Sequence, residues 1–178
     1  MAETGTFEIL QEDLVVRQLP AKPFGHLRLR RPDPEALAAL GVAFGLAWPV
    51  QPNTSSAASG VSVLWLGPGE WALVGMVIDA ARRRTALALG ERLHHLADVS
   101  DGRVAFSLDG PGSRDLIATS CSLDLHLRAF APGQCAQTLF AQCPVLIHHP
   151  DESDRFDLVF DVGHRAYIRR WLADAAAR

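Results

Sequence analysis

Cysteine is scarce in this chain and does not pair: Cys121, Cys135 and Cys143 are odd in number, with neither C-x-x-C spacing nor a companion Cys/His cluster. A disulfide framework is unsupported, and the three read as reduced thiols of a cytosolic protein. Excess positive charge is also missing. Seventeen Lys and Arg stand against 20 Asp and Glu, a formal net charge of -3, so no bulk field draws nucleic acid or anionic lipid. No stretch approaches the roughly 18 uninterrupted apolar residues of a membrane helix. The opening "MAETGTFEIL" carries acids where a signal peptide needs basic residues. Neither secretion nor membrane insertion is indicated, and a cytoplasmic location with no nucleic-acid or membrane partner is expected.

What is present fits an ordinary folded protein. The composition is 48% hydrophobic and 21% charged, far from the signature of disorder. The 178 residues are expected to form a single domain of two halves, about 1–96 and 97–178, that share strands. A chain of this size buries roughly 70% of its unfolded surface.

Alternation in "HLRLR", His26 to Arg30, predicts a strand, and "PDPEALAALG" predicts a helix entered at Pro34 and stopped at Gly41. "PVQPNTSSAASG", Pro49 to Gly60, is expected to be a surface loop. "VSVLWLGPGEWALVGMV" reads as two strands around a Gly-Pro-Gly turn. A helix is expected between Ala80 and Leu96, carrying His94 and His95 and starting after Arg82, Arg83 and Arg84, whose charge opposes the helix dipole at its N-terminus. "RVAFSL" is a strand that meets a second Gly-Pro-Gly, followed by a helix with Ser113 as candidate N-cap. "CAQTLFA", "VLIHH" and "RFDLVFD" read as three strands, and Tyr167, Ile168, Trp171, Leu172 and Ala175 mark a closing amphipathic helix.

None of the residue groupings carries a persuasive chemistry. Gly67, Gly69 and Ala72 satisfy G-x-G-x-x-A, but a dinucleotide loop must open a helix, and here "EWALVG" continues as a strand with Glu70 beside the would-be phosphate. The second loop, "GPGSR", lies between strand and helix and could hold an anion. It lacks the Lys-Ser/Thr of a phosphate loop and does not complete a G-x-S-x-G elbow. The adjacent pairs His94-His95 and His148-His149 diverge on a helix or strand and cannot chelate one metal. Asp98, Ser100 and Asp101 in "DVSDGR" read as a turn rather than a catalytic cluster. Trp48, Trp65, Trp71 and Trp171 divide between core and interface, and the sequence does not choose.

The blocks "LWLGPGEWALV", "ADVSDGRVAFSLDGPGSRDLIATSCSLDLHLRAFAPGQCAQTLFAQCPVLIHH" and "FDLVFDVGHRAYIRRWLADAA" resemble, in that order, the gamma subunits of heterotetrameric sarcosine oxidases. The resemblance runs from "KPFGHLRLR" and the "QPNT" loop to the terminal "WL". It implies an α+β fold of two β-α-β type halves, similar to the folate-binding domain of the glycine-cleavage aminomethyltransferase. It also implies a non-catalytic assembly subunit of a complex that oxidises sarcosine to glycine and passes the one-carbon unit to tetrahydrofolate. FAD, FMN, NAD, tetrahydrofolate and zinc would then belong to the alpha, beta and delta partner subunits, with no cofactor, metal or catalytic residue on this chain. The transferase pattern places a Gly-Gly and a pair of aspartates after "PGQCAQTLF", where this chain has "AQCPVLIHH" without a carboxylate.

On this reading Trp71, His126 and Arg128 are the candidate subunit-interface residues, and a homodimer is a further state open to the isolated chain. Two alternatives stand beside it: a stand-alone folate-binding protein, and an independent transferase using Asp98, Asp101 or His126.

Overall fold

A computed structural model describes residues 7–177. Residues 1–6, most of the acidic opening, lie outside the described residues. In chain order the elements are β1 (Glu8–Leu10), β2 (Val15–Gln18), β3 (Phe24–Leu29), α1 (Pro34–Phe44), β4 (Ser55–Ala58), β5 (Val61–Gly67), β6 (Glu70–Val74), α2 (Ile78–Leu89), β7 (His94–Asp98), β8 (Arg103–Asp109), α3 (Ser113–Ala118), β9 (Gln134–Phe140), β10 (Cys143–His149), β11 (Arg155–Asp161) and α4 (Arg165–Ala176). Two compact units result among the described residues, one from 7–21 and 102–177 and the other from Lys22–Asp101. Residue 96, near which the sequence placed the division, lies within β7.

The Lys22–Asp101 unit holds one antiparallel sheet in the order β4-β5-β6-β3-β7. Leu27, Leu29, Val63, Trp71, Leu73 and Leu96 point from alternate strand positions to one face. There they meet Ala36, Leu40 and Phe44 of α1 and Ala81 and Leu89 of α2. Asp33 caps α1 by accepting a hydrogen bond from the Ala36 N–H at 2.7 Å. The helix runs through Gly41 and stops at Gly45, which takes the left-handed conformation at φ 68°. Gly41 is a packing glycine, because an added Cβ would lie 3.0 Å from the Leu46 carbonyl oxygen.

Three further expectations for this unit are corrected. The helix α2 begins ahead of the arginines, because Ala81, Thr85 and Leu89 form its buried stripe and Asp79 in the first turn pairs with Arg82 at 3.0 Å. His94 and His95 lie on β7, paired with β3. The expected loop over 49–60 contains β4, whose Ser and Ala side chains give little strand signal and which forms by pairing with β5.

The other unit stacks β1-β2-β8-β11-β10-β9, again antiparallel throughout. Val16, Phe106, Phe140, Val145, Ile147, Phe156 and Phe160 build its core with Leu116 and Ile117 of α3 and Ile168 and Leu172 of α4. Its topology repeats that of the first unit. The run β3-α1-β4-β5-β6-α2-β7 orders its strands 4-5-6-3-7, and β8-α3-β9-β10-β11-α4 orders its strands 9-10-11-8, with β2 in the place of β7. The fold is thus α+β in two similar halves, as expected.

β10 is buried on both faces for most of its length. His149 stacks on Phe156, with ring centroids 4.7 Å apart, and donates from Nε2 to the Ser153 carbonyl at 3.0 Å. His148 is 7% exposed, and burial, then His149 and Arg155, hold its pKa down to about 4, against a small opposing effect of Asp151. The imidazole is therefore neutral in the fold and charges more readily when the chain unfolds. Stability should fall as pH drops from about 6.5 towards about 4, by about 3 kcal/mol for this group. Urea unfolding across that range checks this, and His148→Gln should flatten the dependence.

Trp71 is 2% exposed. Its Nε1 donates to the Pro49 carbonyl at 2.8 Å, and its ring meets Trp48 edge-on at 5.6 Å. Trp71→Ala should cost about 3–5 kcal/mol, read as a lowered urea midpoint of the isolated protein.

Candidate functional site

The Gly-Pro-Gly loops are occupied by the chain itself. In the first, Gly69 takes φ 76° so that its backbone can lie against β3, where the Leu29 N–H donates to the Gly69 carbonyl at 2.8 Å. An added Cβ would sit 2.5 Å from the Leu29 carbonyl oxygen. In the second, Gly110 donates to the Asp154 carbonyl, Gly112 to the Asp13 carbonyl and Ser113 to the Gly110 carbonyl, each at 3.0 Å. Those N–H groups are spent, and the Asp13 carboxylate lies 3.1 Å from where a Gly112 Cβ would be. An anion is not served there. Gly112 is the residue that caps α3, and Ser113 is its first helical residue, buried with Oγ unbonded. Ser113 is therefore not the N-cap.

The acidic cluster is a turn. Asp98 accepts from the Ser100 N–H at 3.0 Å and from its hydroxyl at 2.5 Å, and the Ser100 Oγ accepts from the Phe24 N–H at 2.9 Å. The Ser100 hydroxyl first, and then its N–H, hold the Asp98 carboxyl below its ordinary range. Asp101 is exposed next to this turn. His94 donates from Nδ1 to the Arg92 carbonyl at 2.7 Å, while His95 is exposed. Among the described residues no group of three or more His, Cys, Asp or Glu could hold a metal. No helix among them is long and apolar enough to cross a membrane.

The three interface candidates separate. The Trp71 side chain belongs to the core, a correction that follows from its burial and its bond to Pro49. His126 and Arg128 lie on the connection between α3 and β9, and both are exposed. This connection is held at both ends. Leu125 and Phe130 are buried in the core, and the Leu125 carbonyl accepts from Arg114. Between them the backbone closes tightly: Asp124 accepts from the His126 N–H at 2.9 Å, His126 Nδ1 accepts from the Arg128 N–H at 3.2 Å, and the Ala129 and Phe130 N–H groups donate to the His126 carbonyl. The turn therefore presents His126, Leu127 and Arg128 together. Leu127, 56% exposed, was missed in the sequence. The signal is present as an apolar residue between two polar ones, but only the burial of Leu125 and Phe130 shows which way it faces.

Arg114 supports the turn from below. Its guanidinium stacks on Phe156 at 4.8 Å and lies 3.7 Å from the Asp154 carboxylate. The arrangement holds an exposed apolar side chain between His126 and Arg128 at a fixed turn.

A model of the sarcosine oxidase gamma subunit family matches residues 28–178. The sarcosine oxidase subunit gamma of Arthrobacter sp. is 34% identical over 141 residues, which are 78% of this chain and 68% of that one. That of Corynebacterium sp. strain P-1 is 30% identical over 145 residues, 81% of this chain and 71% of the relative. Among solved structures, the heterotetrameric sarcosine oxidase from Corynebacterium sp. U-96, in complex with pyrrole 2-carboxylate, is similar at a TM-score of 0.84 and 28% identity, covering 96% of this chain and 87% of that one. The glycine cleavage system aminomethyltransferase T from Bartonella henselae shares the fold at a TM-score of 0.61 and 14% identity, over 87% of this chain and 44% of its own. With a family match across most of its length and relatives at 30% and 34% identity, the chain belongs to the sarcosine oxidase gamma subunit family.

Proposed function

We propose that the chain is a non-catalytic assembly subunit of a heterotetrameric sarcosine oxidase that oxidatively demethylates sarcosine to glycine and transfers the one-carbon unit to tetrahydrofolate. The observation that carries this reading is the similarity over 96% of the chain to a chain of a heterotetrameric sarcosine oxidase. Supporting it, Asp98, one of the groups a transferase site could recruit, is locked to Ser100. FAD, FMN, NAD, tetrahydrofolate and zinc belong on this reading to alpha, beta and delta partner subunits or their contacts. A cytoplasmic location goes with it. The stand-alone folate-binding alternative has only the shared fold in its favour, at 14% identity.

Gently purified from its own cells with a tag, the protein should run as a yellow assembly of four different chains that oxidises sarcosine. A colourless lone chain by native mass and visible spectrum would remove the subunit reading.

The turn of His126, Leu127 and Arg128 is proposed as one contact within that assembly. All three are exposed, so Leu127→Asp with Arg128→Glu should leave the melting temperature within a degree or two. The same pair should lower recovery of the partner chains by about tenfold or more. Undiminished recovery would show that the turn is not a contact.

A further inference from the structure

The two helices of the Lys22–Asp101 unit are unusually apolar or basic on the side turned away from their sheet. From Pro34 to Phe44, α1 carries a single charged residue, Glu35, and that one is paired with Arg92 at 2.9 Å. Ala36, Leu40 and Phe44 face the core, while Val42, on another side of the helix, is 85% exposed. A surface helix normally places charged residues on its outer side, and one without them is normally covered. On α2, Ala81, Thr85 and Leu89 are buried and Leu87 is 87% exposed.

The helices pack side by side, and the position of one bond locates the exposed groups. Arg84 donates from Nη1 of α2 to the Ala43 carbonyl of α1 at 3.3 Å, next to Val42, and Leu87 follows Arg84 on the same side of α2 three residues on. Arg83 is exposed and has no partner among the described residues. The one acid of α2, Asp79, is taken by Arg82. The face therefore has two exposed apolar side chains and a surplus of two arginines.

We propose that this outer face of α1 and α2, marked by Val42 and Leu87 and edged by Arg83 and Arg84, docks an acidic surface of another subunit of the complex. The proposal rests on the subunit reading above. Apolar centres with arginine at their margin are what protein interfaces select. The charge chooses the occupant. A second copy meeting this face about a two-fold axis would bring the same arginines together, and like charges across an interface oppose association. An acidic patch on a different chain has no such conflict.

The test uses the complex assembled with the full-length chain. Amide exchange over residues 34–47 and 78–90 should slow in the complex relative to the isolated chain. Arg83→Glu with Leu87→Asp should weaken assembly by about tenfold or more, Arg83→Lys should keep it, and the wild-type affinity should fall with added salt. If the wild-type chain assembles but exchange over both helices is unchanged, or the double variant assembles as well as wild type, the docking face is wrong and the subunit reading stands. Should Leu87→Asp unfold the chain, the exchange comparison on the unmodified complex decides alone. A native mass of two copies that Leu87→Asp abolishes would assign the face to self-association and overturn the acidic partner. A wild-type chain that joins no complex overturns the subunit reading and this face with it.

Discussion

The pairing of β2 with β8 is the contact on which the larger unit depends. Val15, Val16, Arg17 and Gln18 lie opposite Asp109, Leu108, Ser107 and Phe106, and the whole Lys22–Asp101 unit intervenes in sequence between the two strands. The repeated topology explains the need. After α2 the chain continues into β7 and completes its sheet beside β3, and in the other unit β2 takes the corresponding place beside β8. Closing so long a separation costs conformational entropy, and the return comes from burial of Leu14 and Val16 and from backbone contact at the second Gly-Pro-Gly, where Gly110 and Gly112 lie against Asp13.

The two Gly-Pro-Gly triplets thus do one physical job at non-equivalent places. The first turns β5 into β6 against the end of β3, and the second leaves β8, the counterpart of β3, against the segment ahead of β2. In each case a carbonyl oxygen stands where a Cβ would be, at 2.5 and 2.4 Å. A phosphate would need the same N–H groups and the same space, so the closeness that stabilises the sheets leaves the second loop no role as an anion cradle. The shared fold with an aminomethyltransferase has the same lesson, since architecture is common to many activities and the particular groups decide which is performed. Here Asp98 and Ser100 satisfy each other and the start of β3.

Much of the fold was legible because its signals are local. The apolar strand-forming runs of Val61 to Leu66 and Arg103 to Leu108, the Gly-Pro-Gly between β5 and β6, and the spacing of Ile168 and Leu172 all specify their elements within a few residues. Other elements were not. Gly41 looks like a helix stop, yet it is a close approach to Leu46, and β4 forms because β5 is there to pair with it. For the candidate site the outcome divides in the same way. The exposed polar positions of His126 and Arg128 could be marked from the sequence, while Trp71 could not be assigned, because an aromatic ring suits a core and an interface equally until its neighbours are known.

By itself the sequence determined the composition of two α+β halves, the absence of a strong catalytic motif and, through the order of its blocks, the family. Those properties reside in short stretches and their succession. Tertiary structure alone decided that β2 completes a sheet begun at β8, that Trp71 is enclosed with Trp48, and that Leu87 and Val42 stand exposed near Arg84, which bonds the Ala43 carbonyl. Each of these depends on which distant segment occupies the neighbouring space, and burial is a property of that neighbour as much as of the residue.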